Sequence, residues 1–485
     1  MSDKKTGVLN SKEMLYAFTK HSVSIFIVGF VGYALTFWLA GDSLMRAIPV
    51  HHDDYSNYSL ASKPFDFSFN RPLSNFIIWM LSDIGHGALI WAVRVLTILY
   101  VYLVFSIFTL LYKPKHYFIL LFLYATFVFS TPIAVEYGRY TGMITHLLSG
   151  FFAVLSVLFL IKGQLNGNNK LTAISLLLIV FSVLCKEDFI LVYVVACSFL
   201  FLRHEDSRAQ LLKLLVSAVL LSVVIVGSSK LLSSSSFLGV AETSSTYFVD
   251  FSVGSILKTV YSYLTGAKHP AMEFHGVLIF VCVLITIFLV FFLEREKKLN
   301  VVFFLSLVLA TIFPYSVLPN HINAYYELIW LPFIAISLIA SVLYLFERIY
   351  QFRSRGQLFS IVVLSVFVFS LSYADLGGRY SIASWYRINI DSNQNLLMKL
   401  GELNSNKYKV ICVFDANSFS PWYMHSGAYL SFVLEIDSKW IVLNNESSPL
   451  NSGFKMAEIT SMGDVKVINE NELDVSRCSK IIKLN

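Results

Sequence analysis

Long apolar runs separated by short polar segments dominate the first three quarters of the chain. Runs that cross, or nearly cross, a hydrocarbon core of about 30 Å fall at 22–41, 89–111, 117–134, 143–161, 171–185, 189–202, 214–232, 276–293, 300–318, 326–346 and 358–373. The pattern predicts about eleven transmembrane helices. The fifth and sixth runs are shorter than the roughly 17 residues a span usually needs, and they predict a shallow or re-entrant hairpin around Lys186-Glu187-Asp188. Beyond residue 373 the pattern changes. Lys407–Asp415, Lys439–Leu443, Asp464–Ile468 and Lys480–Leu484 read as short strands, and Asp391–Leu403 carries a helical apolar face of Leu396, Leu397 and Leu400. The expected architecture is a polytopic α-helical membrane protein over 1–373, followed by a small C-terminal α/β domain over 374–485.

Composition agrees. The chain is 56% hydrophobic and 14% charged, against about 25% charged in soluble domains. The net charge of +6 reads as a topology signal, because its basic residues sit in short loops: Lys113 and Lys115; Lys162 and Lys170; Arg203, Arg208 and Lys213; Arg295, Lys297 and Lys298; Arg348, Arg353 and Arg355. By the positive-inside rule these loops and the N-terminus are cytoplasmic. Segments 42–88, 135–142, 186–188, 233–275 and 319–325, and the tail from 374, are then extracytoplasmic. The first run follows Lys4, Lys5, Lys12 and Lys20 but exceeds a usual signal-peptide core, and no A-x-A site follows, so it reads as an uncleaved span. No basic patch interleaved with aromatics points to nucleic acid. No Walker or Rossmann glycine loop points to a cytoplasmic nucleotide enzyme. The five cysteines show no metal-ligand spacing, whereas Cys412 and Cys478 are free to pair if the tail is extracytoplasmic.

The expected external face collects the residues with chemical potential. His51-His52-Asp53-Asp54-Tyr55 offers paired carboxylates for a general base and an orienting or cation-binding partner, for Mg or Mn if a cation is used. A solvated loop with a helix-capping Asp accounts for the same residues. Asn70-Arg71-Pro72-Leu73 supplies a guanidinium fork suited to phosphate, or to lipid headgroups. Glu136 and Arg139 flank Gly138, either as a closure over an anion or as a local ion pair. Lys186, Glu187 and Asp188 lie where charge is costly unless it faces a cavity, a partner or water. His321 and Tyr325 stand in a short loop before Glu327, as a phosphate or proton-relay group and a substrate-binding aromatic.

An acidic pair after the first span, many further spans and a C-terminal external domain resemble the GT-C glycosyltransferases. His52-Asp53-Asp54-Tyr55 with Asn70-Arg71-Pro72-Leu73 is similar to bacterial serotype-converting, Gtr-type O-antigen glucosyltransferases. The resemblance implies a bacterial inner-membrane enzyme that moves a sugar, glucose in that subfamily, from a polyprenyl-phosphate donor to lipopolysaccharide O-antigen or a related envelope glycan on the periplasmic face. It implies an inverting displacement with Asp53 as base and Asp54 beside it. Arg71, Arg139, Lys186 and His321 would hold the departing phosphate, supported by Glu136, Glu187, Asp188 and Tyr325. A retaining route through a second carboxylate stays open. So do an O-antigen polymerase, a lipid or oligosaccharide transporter, and a membrane O-acyltransferase.

Overall fold

The computed structural model describes residues 11–37, 71–232, 248–266, 269–350 and 353–401, and strand residues 410–415, 439–444, 456–459, 465–467 and 480–484. The helices are α1 (Ser11–Gly32, continued by a π-helical turn Tyr33–Phe37), α2 (Pro72–Ile84), α3 (His86–Tyr112), α4 (Tyr117–Phe129), α5 (Ile144–Leu165), α6 (Asn169–Cys185) and α7 (Ile190–Arg203). They continue as α8 (Arg208–Leu232), α9 (Val253–Leu264), α10 (Glu273–Val290), α11 (Arg295–Ser316), α12 (Glu327–Tyr350), α13 (Arg353–Ala374) and α14 (Leu376–Gly401). Each apolar run overlaps one of these helices, with residues 38–41 of the first run outside the described residues.

Among the described residues six segments are long and apolar enough to cross a membrane: His86–Tyr112, Thr141–Leu165, Arg208–Ser228, Arg295–Ser316, Ala324–Tyr350 and Arg353–Ala374. Tyr117–Phe129, Asn169–Cys185 and Phe274–Val290 are apolar but shorter. Burial sorts them. The best window of Ala324–Tyr350 is 94% buried and that of Arg208–Ser228 only 11%, so α12 is the axis of the bundle and α8 lies at its edge.

Two expectations change. Segment 42–88 is not wholly loop, since α2 occupies Pro72–Ile84. Pro72 is pre-set for the first helical turn, and Gly85, at φ +130, breaks the helix before α3 begins. The helix expected at Asp391–Leu403 begins fifteen residues earlier, at Leu376, almost directly after α13.

Among the described helices α5 and α6 pack together most extensively. Asn168 caps α6 by accepting from the amides of Lys170 and Leu171 at 3.0 and 3.3 Å. The seam between the two helices is built of small residues, as close membrane packing favours. A Cβ at Gly163 would stand 2.5 Å from Thr172 Oγ1. The Ser156 hydroxyl donates to the Ser175 carbonyl at 2.6 Å, and the Ser182 hydroxyl to the Ser149 carbonyl at 2.8 Å. At the end of this seam the Ser149 hydroxyl donates to the Lys186 carbonyl at 2.8 Å, fixing the start of the charged turn.

The C-terminal strands are β1 (Val410–Asp415), β2 (Lys439–Asn444), β3 (Met456–Ile459), β4 (Val465–Val467) and β5 (Lys480–Leu484), in the order β4-β3-β2-β1-β5. β1 is parallel to β2 and β5; β3 is antiparallel to β2 and β4. The sequence pattern located β1, β2, β4 and β5 but not β3. Cys478 lies outside the described residues, and with it the possible pairing to Cys412. Cys185, Cys197 and Cys282 are buried free thiols.

Candidate functional site

At one end of the bundle a cavity of about 540 Å³ opens between the start of α2, the α6–α7 turn, the start of α5 and the α11–α12 loop. Four of the charged residues that the sequence singles out line it: Arg71, Lys186, Glu187 and Asp188. His321 and Tyr325 line it as well.

The turn after α6 is the centre of the arrangement. Lys186 leaves the helix with extended φ and ψ of −167 and 142, and Glu187–Phe189 forms one 3-10 turn. Lys186 Nζ lies 3.0 Å from Asp188 Oδ2 and 2.7 Å from His146 Nε2. His146 Nδ1 lies 3.2 Å from the same carboxylate oxygen, and the Tyr315 hydroxyl donates to it at 2.6 Å. A neutral His146 that accepts from Lys186 at Nε2 and donates from Nδ1 to Asp188 accounts for these two contacts. Asp188 Oδ2 thus meets three donors, which holds Lys186 and His146 beside it. Burial alone would raise its pKa, but Lys186, His146 and Tyr315 outweigh burial and hold it well below the usual carboxylate range. Burial pushes the Lys186 ammonium below its ordinary value, against the pull of Asp188.

Arg71 reaches this turn because α2 is pinned to the end of α6: the Ser74 hydroxyl donates to the Cys185 carbonyl at 2.9 Å. Arg71 Nε stands 3.8 Å from Glu187 Oε2, with the two side chains 37% and 43% exposed. This long, half-solvated pair is easily exchanged for a better acceptor. Opposite it rises an aromatic wall. Tyr315 stacks on Tyr326 with centroids 3.9 Å apart, Tyr325 meets Tyr326 at 4.5 Å, and Tyr140 meets Tyr325 at 5.2 Å. His321 Nε2 lies 3.0 Å from the Tyr326 hydroxyl. The wall and the cations together suit a polar ring joined to an anion.

Arg139 does not line the cavity. Its side chain is fully buried behind Tyr140, in a turn anchored by Arg94, whose Nε donates to the Gly138 carbonyl at 2.9 Å. Glu136 belongs to the same turn, and burial raises its pKa to about 8. The Tyr137 hydroxyl donates to the Tyr325 carbonyl, so Glu136–Tyr140 supports the aromatic wall from outside. Asp53 and Asp54 lie outside the described residues. Among the described residues, no group of three or more His, Cys, Asp or Glu is arranged to hold a metal ion.

The sequence reading missed His146, Tyr315 and Tyr140. His146 carried a signal, a lone imidazole within an apolar run, where polar groups need a partner. It also missed a second buried cluster. His275 on α10 lies 2.8 Å through Nε2 from Glu327, the first residue of α12, and contacts Asp375 through Nδ1. All three are at most 3% exposed. This cluster joins α10, α12 and the α13–α14 corner just behind Tyr325-Tyr326.

No protein-family model and no curated protein matches the sequence. Among solved structures, the chain is similar to the crystal structure of ArnT from Cupriavidus metallidurans in the apo state, at 11% identity and a TM-score of 0.45, covering 89% of this chain and 93% of that one. The same protein bound to undecaprenyl phosphate matches at 11% identity and a TM-score of 0.45, covering 88% and 93%. At that level the likeness assigns neither a family nor an activity.

Proposed function

We propose that the protein is an inverting membrane glycosyltransferase that moves a sugar from a polyprenyl-phosphate donor to lipopolysaccharide O-antigen or a related envelope glycan. The supporting observation is one cavity that gathers Arg71, Lys186 and His321 beneath an aromatic wall, from elements far apart in sequence. Glucose is the sugar that the His52-Asp53-Asp54-Tyr55 and Asn70-Arg71-Pro72-Leu73 motifs suggest.

In this reading Asp53 takes the proton from the acceptor hydroxyl as its oxygen attacks the anomeric carbon. The bond from that carbon to the phosphate oxygen breaks, and the polyprenyl phosphate leaves with the electron pair. Asp54 orients Asp53 or binds a divalent cation. Arg71 and Lys186 meet the developing phosphate charge, and fixed cations in a partly dry cavity are effective there. The tyrosine wall holds the sugar ring. The polyprenyl chain stays in the bilayer, which suits a cavity at the end of a bundle of membrane-length helices. The Lys and Arg distribution supports a periplasmic cavity, a cytoplasmic N-terminus and a periplasmic segment 374–485.

The test is sugar transfer from a polyprenyl-phosphate hexose to lipopolysaccharide by Asp53→Asn and Asp54→Asn variants in membranes. The expected result is a fall of about 10²–10⁴-fold for Asp53→Asn at normal protein level. Full activity in both variants would end the assignment.

A further inference from the structure

The end of the bundle opposite the candidate site carries a second cavity, of about 430 Å³. It lies where α3, α7 and α12 end and α11 and α13 begin. Three cations from three helices line it: Arg203, Lys297 and Arg353. They surround an aromatic pair, Tyr112 and Tyr344, whose rings meet edge to face at 5.0 Å. Lys297 Nζ stands 5.8 Å from the Tyr344 ring centre and the Arg353 guanidinium 5.5 Å from that of Tyr112.

The polar contacts hold these cations in place. Asn300, buried one turn inside α11, accepts from Arg203 Nη1 at 2.9 Å and donates to the Tyr344 hydroxyl at 2.9 Å. A buried amide within a membrane-length helix is expensive unless it is paired, and its pairing fixes an otherwise exposed arginine. Of the two lining carboxylates, Glu347 is committed internally. It accepts from the Tyr112 hydroxyl at 2.5 Å and from Gln357 at 2.9 Å, and lies 3.4 Å from Arg353 Nε. Glu296 is exposed at the rim. Three cations against two carboxylates leave the lining at net +1. Arg203 is held by the neutral Asn300, and Lys297 Nζ lies 3.3 Å from Glu294 Oε2, a solvent-exposed i,i+3 pair outside the lining that a phosphate can replace. Beside the cavity, Phe201, Leu202, Phe291 and Phe292 expose large apolar side chains.

We propose that this cavity is a binding site for the phosphodiester headgroup of an anionic glycerophospholipid. The phosphate sits between Arg203 and Lys297, and the acyl chains lie along the neighbouring exposed apolar surface. Basic pockets between membrane helices take such headgroups. A soluble phosphate would use the cations but not the apolar flank. The site is independent of the sugar-transfer reading.

The test uses the full-length purified protein and native mass spectrometry with phosphatidylglycerol, phosphatidylcholine and inorganic phosphate. Wild type is expected to retain phosphatidylglycerol in preference to phosphatidylcholine. The variant Arg203→Gln/Lys297→Gln should bind phosphatidylglycerol about thirtyfold more weakly. Lys162→Gln/Lys170→Gln, with the same loss of charge on another loop, should bind as wild type does. Lys297→Gln alone keeps the test usable if the double variant fails to fold, and about fivefold weakening is expected of it. Equal weakening in both double variants would reduce the effect to general surface charge and overturn the site. Equal retention of phosphatidylcholine would overturn it too, as would inorganic phosphate displacing phosphatidylglycerol from wild type.

Discussion

Two histidines of this protein each sit against buried carboxylate, in surroundings that differ in kind. His146 shares Asp188 with Lys186 and Tyr315, and the group borders a cavity that also holds the half-exposed Arg71. His275 lies between Glu327 and Asp375, sealed from solvent. The first cluster borders an opening; the second is buried and joins three helices. A histidine–carboxylate contact therefore does not mark chemistry by itself. Access to a cavity is what sets the first cluster apart as a candidate site, since a buried cation, Arg379, stands near Asp375 in the second as well.

The sharpest way to break this comparison is to remove His275. His275→Ala leaves two buried carboxylates facing each other, and breaking a buried ionic group in this way costs about 3–5 kcal/mol. Thermal unfolding of the detergent-purified variant should show a large fall in midpoint. An unchanged midpoint would mean that the cluster is no brace. A smaller effect is expected at the aromatic wall. Tyr325→Ala removes a ring that meets Tyr326 and Tyr140 but keeps the carbonyl that accepts from Tyr137. With an aromatic contact worth about 1 kcal/mol, the KM for the sugar donor should rise roughly fivefold, and the unfolding midpoint should fall less than in His275→Ala. A lower kcat with unchanged KM would place Tyr325 elsewhere in the account.

The smallest effect concerns Glu136. Burial raises its pKa to about 8, so the fold favours the neutral acid. Its contribution to stability is full below the ordinary carboxylate pKa of about 4.3 and is lost as pH rises through about 8. Glu136→Gln should flatten the stability profile across that window, measured by thermal unfolding at several pH values. A variant with the slope of wild type would show that Glu136 does not set it.

Much of the bundle was legible in the apolar runs, because a helix in lipid must be apolar over most of its length. The site was legible in part. Lys186–Asp188, Arg71 and His321 stand out as polar residues at run boundaries. Their meeting depends on the Ser74–Cys185 contact, which spans 111 residues and leaves no local pattern. His146 and Tyr315 were hidden inside apolar runs, and their contact joins residues 169 apart. Nor did the sequence reveal α2, whose Ser74, Asn75 and Ser82 interrupt its apolar face. Strand β3, with the sequence MAEI, carries one β-branched residue in four and so little strand propensity. The His275 cluster was missed because its members stand at the edges of three separate runs.

The central claim is that the cavity at Arg71 and Lys186 receives a polyprenyl phosphate. Binding of a short-chain polyprenyl phosphate to purified wild type and Arg71→Ala tests it most directly. Arg71 is half-exposed, so the variant should keep its unfolding midpoint within the range of a surface ion pair, about 1 kcal/mol or less. The account predicts that it loses affinity by about 10-fold or more, as expected when one phosphate-binding arginine is removed. Binding by Arg71→Ala as tight as by wild type would contradict it.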